Sequence, residues 1–254
     1  MATGAATVPD RKLAIIVQGA EAGKWIVAAS VLLGSVPSIM DATVVNVEMP
    51  HMMGTFGTDL LTITWVSTAY SIVEIIQITM SAWWARLFGC KRLYLASMLV
   101  FITGSILAGT SRTLGQMIVF RVMQGLGGGS LMPMSQAIVR EKFPPEEQAM
   151  SMALYTMGVI LAPALGPVVG GLIIDDFGWP WIFYINVPFC IAGFIMVSTF
   201  VQDPPYLQRG VERVDWAGIV LLSIGLAVLQ LVLERGEEVD WFASRSQLRR
   251  VWWH

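Results

Sequence analysis

Charge is what this chain has least of. Asp, Glu, Lys and Arg together make up 13% of its 254 residues, against 55% hydrophobic residues, where soluble domains carry roughly a quarter charged. That shortage excludes an ordinary soluble domain, and 16 basic against 18 acidic residues leave no basic surface for nucleic acid. Cysteine is scarce too: Cys90 and Cys190 stand alone and too far apart to suggest a disulfide. With His51 and His254 as the two histidines, there is no metal-ligand cluster, and no span offers a base to Ser130, which follows three glycines. No enzyme and no cofactor is expected. The first two dozen residues also lack the apolar core of a signal peptide, holding just Leu13 to Val17 before Glu21 and Lys24. The amino terminus is therefore expected to be retained, with a short interfacial helix from Arg11 to Gly19.

What is present in quantity is long apolar runs. About 20 residues of helix cross roughly 30 Å of hydrocarbon, and seven runs of about that length can be read. They are Trp25 to Val47, Ile63 to Trp84, Leu93 to Thr110, Leu114 to Val139, Ala149 to Ile174, Trp181 to Val201 and Trp216 to Leu233. Trp25, Trp65, Trp83, Trp84, Trp179, Trp181 and Trp216 fall near their ends, where an indole belongs at the headgroup level. The fold class is an all-α polytopic membrane protein. Its lipid bilayer neighbour is implied by composition alone.

Basic residues gather in alternate loops. Arg11, Lys12 and Lys24 precede the first span, Arg86, Lys91 and Arg92 follow the second, Arg140 and Lys142 the fourth, Arg209 and Arg213 the sixth; the opposite loops hold Arg112. Cytoplasmic loops carry the excess of Lys and Arg, so the amino terminus is expected inside. Residues 1–24 then form a cytoplasmic tail, 25–201 a six-span unit, 202–215 a cytoplasmic loop, 216–233 a seventh span and 234–254 an extracytoplasmic tail. That tail brings Arg245, Arg249 and Arg250 to the side that should lack them, which suggests a truncated end.

Against this background the charges inside spans stand out. Arg121 lies in the fourth, where a guanidinium costs about 2.5–3.5 kcal/mol on insertion scales and must face protein or water. Gln124 follows one turn later on the same face, and Gly125, Gly127, Gly128 and Gly129 then bare the helix for a close neighbour. Asp41 in the first span and Arg121 both lie on the order of 10 Å from the outer ends of their runs at 1.5 Å per residue, so they can meet. Glu74, mid-span with Gln77 one turn on, is a second acid that can take up and release a proton. These three residues are the candidates for proton coupling, with Asn46, Gln77 and Gln124 lining a substrate cavity. A static ion pair that merely holds two helices in register is the plainer alternative for Arg121, and a wet-cavity or helix-bonding group is the plainer one for Glu74. In the fifth span Gly158, Ala162, Gly166 and Gly170 recur at every fourth position, and Pro163 and Pro167 each remove a backbone donor. A close-packed face with a bend is expected there, fit for a moving seam.

These stretches together resemble the amino-terminal half of a major facilitator superfamily transporter, of the fourteen-span drug:proton antiporter type named for EmrB and QacA. Met40 to Pro50 resembles the first-helix motif, Arg121 to Gly129 the fourth-helix motif, and Gly158 with Ala162 to Gly171 the antiporter motif, which includes Gly171. The loop from Ala82 to Arg92 matches in part: Gly89, Lys91 and Arg92 fit a gating loop, while Arg86 stands where many members have aspartate. Glu48 replaces a usual small residue. The resemblance implies two inverted three-helix repeats, about 25–111 and 114–201. It also implies export of amphipathic or cationic drugs against the proton gradient as coupling ion, from the inner cell membrane. In Gram-negative relatives it implies a membrane fusion protein and an outer-membrane channel as partners.

Other readings compete. A seven-span receptor puts its amino terminus outside, and a retinal protein needs a lysine in its last span, whereas the final lysine is Lys142. A non-transporting fragment or regulatory remnant, and a facilitator importing a small metabolite, remain as alternatives. The chain alone is expected not to transport.

Overall fold

In a computed structural model, residues 11–202 and 216–235 are described, as backbone alone at 11–22, 169, 173–176, 216 and 234–235. The expectations for residues 1–10, for the loop with Arg209 and Arg213 and for the tail beyond Arg235 lie outside them. The described residues are almost wholly helical: α1 (Arg11–Phe56), α2 (Leu60–Ile63), α3 (Trp65–Phe88), α4 (Cys90–Gly109), α5 (Leu114–Lys142), α6 (Gln148–Phe177), α7 (Trp181–Tyr184), α8 (Asn186–Phe200) and α9 (Trp216–Arg235). A chain in hydrocarbon must bond its own N–H and C=O groups, and helices do so within one segment. α1, α3 and α6 end at or just before Gly57, Gly89 and Gly178, whose φ angles of 61°, 88° and 84° are costly for any residue with a Cβ.

Two boundaries differ from the sequence reading. α1 is one helix of 46 residues, so the expected interfacial segment from Arg11 and the first span are continuous, and the helix carries on past Val47 to Phe56. Glu48, Pro50 and His51 look like a loop in sequence, yet Glu48 is buried and its carboxylate lies 3.5 Å from the His51 ring. The expected bend in α6 is not a break either, because the helix runs unbroken through Pro163 and Pro167.

By length and composition, five described helices can cross a membrane, with α2 joined to α3 and α7 to α8. The sequence reading expected seven. Two more of the expected spans are also helices: α9 has 20 residues, with an apolar run at Ala217–Leu233, and α5 has 29 residues with a lower hydropathy. The reason for α5 is its surroundings: α3 and α4 pack along it, with α1 and α6 also in contact. A helix enclosed by other helices does not need the hydropathy of one facing lipid. Around α1 the neighbours are α6 and α8, α4 packs on α8, and α9 lies on α3.

Small residues set these distances. A Cβ at Gly129 would lie 2.5 Å from the Glu74 carbonyl oxygen of α3, and one at Gly127 2.6 Å from the Ser97 carbonyl oxygen of α4. On α1, Leu32 packs over Gly158 and Val44 over Gly166 and Gly170, so the fourth-residue face of α6 does seat a helix; Gly171 faces nothing within 4 Å. Ala162 completes that face at 2% exposure. Two buried apolar clusters result, one around Tyr70, Tyr94, Met98, Phe101 and Leu131 and another around Val45, Met52, Ile63, Val66, Met117 and Phe183.

Candidate functional site

Where the two clusters meet, the apolar packing gives way to a polar knot. Arg121 of α5 is fully buried, at 0% exposure. Its Nη1 donates to Asp41 Oδ2 of α1 in a short ion pair and to Gln124 Oε1 at 2.6 Å, and its Nε donates to the Val66 carbonyl of α3 at 3.2 Å. The guanidinium carbon sits 4.1 Å above the Tyr70 ring and 5.8 Å from that of Phe183. Asp41, 3% exposed, uses its other oxygen as well: Oδ1 accepts from Gln124 Nε2 at 3.0 Å and Asn186 Nδ2 at 3.2 Å. Ser105 of α4 closes the ring, accepting from Asn186 at 3.2 Å and Gln124 at 3.4 Å while donating to the Phe183 carbonyl at 2.7 Å.

Each position has a local cause. Arg121 and Gln124 are three residues apart and project from one face of α5. Gly104 lets α4 approach, since a Cβ there would lie 2.7 Å from the Gln124 backbone nitrogen. Asn186 begins α8 just after the short α7, which turns its amide back toward Asp41. A buried ion pair is costly unless its remaining lone pairs and protons are also bonded. Here Asp41 accepts on both oxygens, and the two amides bridge it to a hydroxyl.

The other expected site residues are placed around this knot. Glu74, half-buried, accepts from the Tyr70 hydroxyl at 3.1 Å. Gln77 donates instead to Ser130, at 2.8 Å, and Asn46 accepts from Ser67 at 2.8 Å; neither joins the Arg121 knot. At the end of the bundle where α3 turns into α4, Lys91 donates to the Ser198 carbonyl of α8 at 2.8 Å, while Arg86 and Arg92 are exposed. At that same end of α1, Lys24 pairs with Glu147 at 2.5 Å. Cys90 and Cys190 are both free thiols.

Ser105, Asn186 and Tyr70 were missed in the sequence. Ser and Asn close to a span end look like boundary residues, and the aromatic run before Asn186 reads as an interfacial loop. A visible signal existed for Tyr70, which stands one helical turn before Glu74.

Comparison with known proteins bears on the whole chain. The sequence profile of the Major Facilitator Superfamily matches residues 31–249. The multidrug export protein EmrB of Escherichia coli (strain K12) is 37% identical over 222 residues, which cover 87% of this chain and 43% of the relative. The fatty acid resistance protein FarB of Neisseria gonorrhoeae is 34% identical over 210 residues, covering 81% of this chain and 40% of the relative. The chain thus spans under half the length of these relatives. Among solved structures, the peptide transporter POT in complex with sulfate superposes with a TM-score of 0.64 at 17% identity, over 90% of this chain and 49% of that one. A D-xylose-proton symporter gives 0.64 at 14%, over 85% and 56%. Those two likenesses speak for the fold alone. With a family profile matched over most of its length, relatives above one third identity and the same helical architecture, this chain belongs to the Major Facilitator Superfamily, a family of membrane transporters and not of enzymes.

Proposed function

We propose that this chain is the amino-terminal half of a proton-coupled multidrug exporter of the inner cell membrane, with its amino terminus in the cytoplasm. The observation that carries this is the buried Arg121–Asp41 pair, held by Gln124 of α5 and Asn186 of α8, whose amides Ser105 of α4 bridges. The names of the multidrug-export relatives supply the substrate class, drugs, and the acidic groups Asp41 and Glu74 favour amphipathic or cationic ones. A proton on Asp41 discharges the carboxylate and frees the guanidinium; a cationic drug near Asp41 or Glu74 favours the ionised acid. Binding of one therefore expels the other. Asn46, Gln77 and Gln124 line the drug cavity in this reading, and Arg86, Gly89, Lys91 and Arg92 form the cytoplasmic gate.

The packing supports two inverted repeats, 25–111 and 114–201. Exchanging α1 with α5, α3 with α6 and α4 with α8 turns the α3–α5 contact into α6–α1 and the α4–α5 contact into α8–α1, and all four are present. Alternating access needs a second half to rock against, with the face of α6 from Gly158 to Gly170 as the seam. Alone, the chain does not transport. A membrane fusion protein and an outer-membrane channel complete the system in a Gram-negative cell.

The test joins this chain to the carboxy-terminal remainder of the Escherichia coli relative and reconstitutes the chimera in liposomes with an internal pH dye. Adding a cationic drug is expected to move protons, Arg121→Ala to abolish the movement with insertion intact, and the chain without the added half to do nothing. Undiminished drug-driven flux in Arg121→Ala would refute the coupling role. Flux driven by sugars and not by drugs would favour a metabolite importer.

A further inference from the structure

Tyr70 connects the two acidic groups of the site, meeting Glu74 through its hydroxyl and reaching Asp41 by way of Arg121, which lies over its ring. Its ring supports the Arg121 guanidinium at 4.1 Å, and Arg121 holds Asp41. The hydroxyl lies 3.1 Å from Glu74 Oε1, one turn along its own helix, and 3.4 Å from the carbonyl oxygen of Ser38 on α1, one turn before Asp41. A phenol has a single proton to donate, so the two acceptors compete for it. The space for this hydroxyl is made by Gly128, where a Cβ would lie 2.6 Å from it. The groups that act on Glu74 are this hydroxyl and the charges of Asp41 and Arg121.

We infer that Tyr70 is a positioning residue whose hydroxyl lets the protonation of Glu74 act on the Arg121–Asp41 pair. With Glu74 ionised, the anion outcompetes a neutral carbonyl, and the phenol proton points to Glu74. When Glu74 takes a proton from water, its own O–H donates to the Tyr70 oxygen and the phenol proton turns to the Ser38 carbonyl. One added proton thus reverses one hydrogen bond and makes another with no heavy atom displaced. It ties α3 to α1 beside Asp41, and it withdraws from the Tyr70 ring the electron density that an anionic acceptor lends to the face under Arg121. The purpose of this device rests on the proton-coupling reading above, while its geometry does not.

The experiment uses the 254-residue chain in lipid nanodiscs and follows protonated carboxyl groups by their infrared C=O stretch as pH is varied. The band lost in Glu74→Gln belongs to Glu74. In Tyr70→Phe, which keeps the ring, that band is expected to change frequency and to persist to a pH about one unit higher, the size of one hydrogen bond to a charged group. Gly128→Ala, which crowds the hydroxyl, should move the band in the same sense. Gly115→Ala, with nothing within 4 Å of the added carbon, should leave it in place. A Glu74 band unmoved by Tyr70→Phe overturns the proposal, as does the absence at every pH of any band removed by Glu74→Gln. If Tyr70→Phe does not fold, Gly128→Ala decides by the same criterion. Failure of the chimera to move protons would refute the transport reading and leave this infrared result standing.

Discussion

Replacing Gly127 by alanine should loosen the helix pair on which the site is built. The added carbon would meet the Phe101 backbone nitrogen most closely, and would lie 2.6 Å from the Ser97 carbonyl oxygen and 2.8 Å from the Phe101 Cα, against an ordinary contact of 3.4 Å or more, so α4 has about 1 Å to give up. All three obstacles are backbone and cannot swing aside. Overpacking of this kind costs about 1–3 kcal/mol, while alanine in place of glycine returns up to about 1 kcal/mol of helix propensity. The net loss is on the order of 1–2 kcal/mol. It does not stop at packing, because a retreating α4 carries Ser105 away from Gln124 and Asn186. Thermal unfolding can be followed with a fluorogenic maleimide at the buried Cys190, in a Cys90→Ser background. Gly127→Ala should melt below the parent, and Gly115→Ala, which meets no neighbour, should not. Equal melting of Gly127→Ala and the parent would refute the claim that bare backbone sets the α4–α5 spacing.

The knot around Arg121 gives a second expectation. Asp41→Ala strands a buried guanidinium and should cost about 3–5 kcal/mol, whereas removing both charges as Asp41→Ala with Arg121→Met should recover most of that; a double variant no more stable than the single one in the same melting assay would show that charge pairing is not what holds the knot. Third, Cys90 lies where α3 turns into α4, on the side assigned to the cytoplasm. A membrane-impermeant maleimide should leave it unlabelled in sealed right-side-out vesicles and label it once they are opened, and labelling in sealed vesicles reverses the topology.

What the sequence disclosed, and what it hid, follows from how residues advertise themselves. Arg121 and Asp41 were legible because a charge inside an apolar run demands a partner, and their similar depths pointed to each other. The glycines of α5 and the small residues of α6 were legible as packing faces, and the helices that occupy them turned out to be α3, α4 and α1. Ser105 and Asn186 were not, because an uncharged polar residue near a span end costs little and looks like a boundary. Asn46 and Gln77 show the converse: each lies in a span with a polar side chain, but each found a nearer hydroxyl, in Ser67 and Ser130, and stayed out of the knot. The length of α1 was hidden by Glu48, Pro50 and His51, which read as a turn when taken one by one. Glu48 is buried within the bundle and approaches His51 one turn on along the same helix, and burial of that kind is not visible in the local sequence.

The modest hydropathy of α5 has a consequence for how the protein is made. A helix carrying Arg121, four glycines between residues 125 and 129, and Gln116, Gln124 and Gln136 is a poor candidate to leave the translocon unaided. The acceptors that satisfy its guanidinium, Asp41 and the Val66 carbonyl, belong to α1 and α3, which are synthesised first. Membrane entry of α5 should therefore be helped by α1 and α3 held near the exit site, and a nascent chain carrying Asp41→Ala should integrate less efficiently than the parent, before any drug or proton is involved.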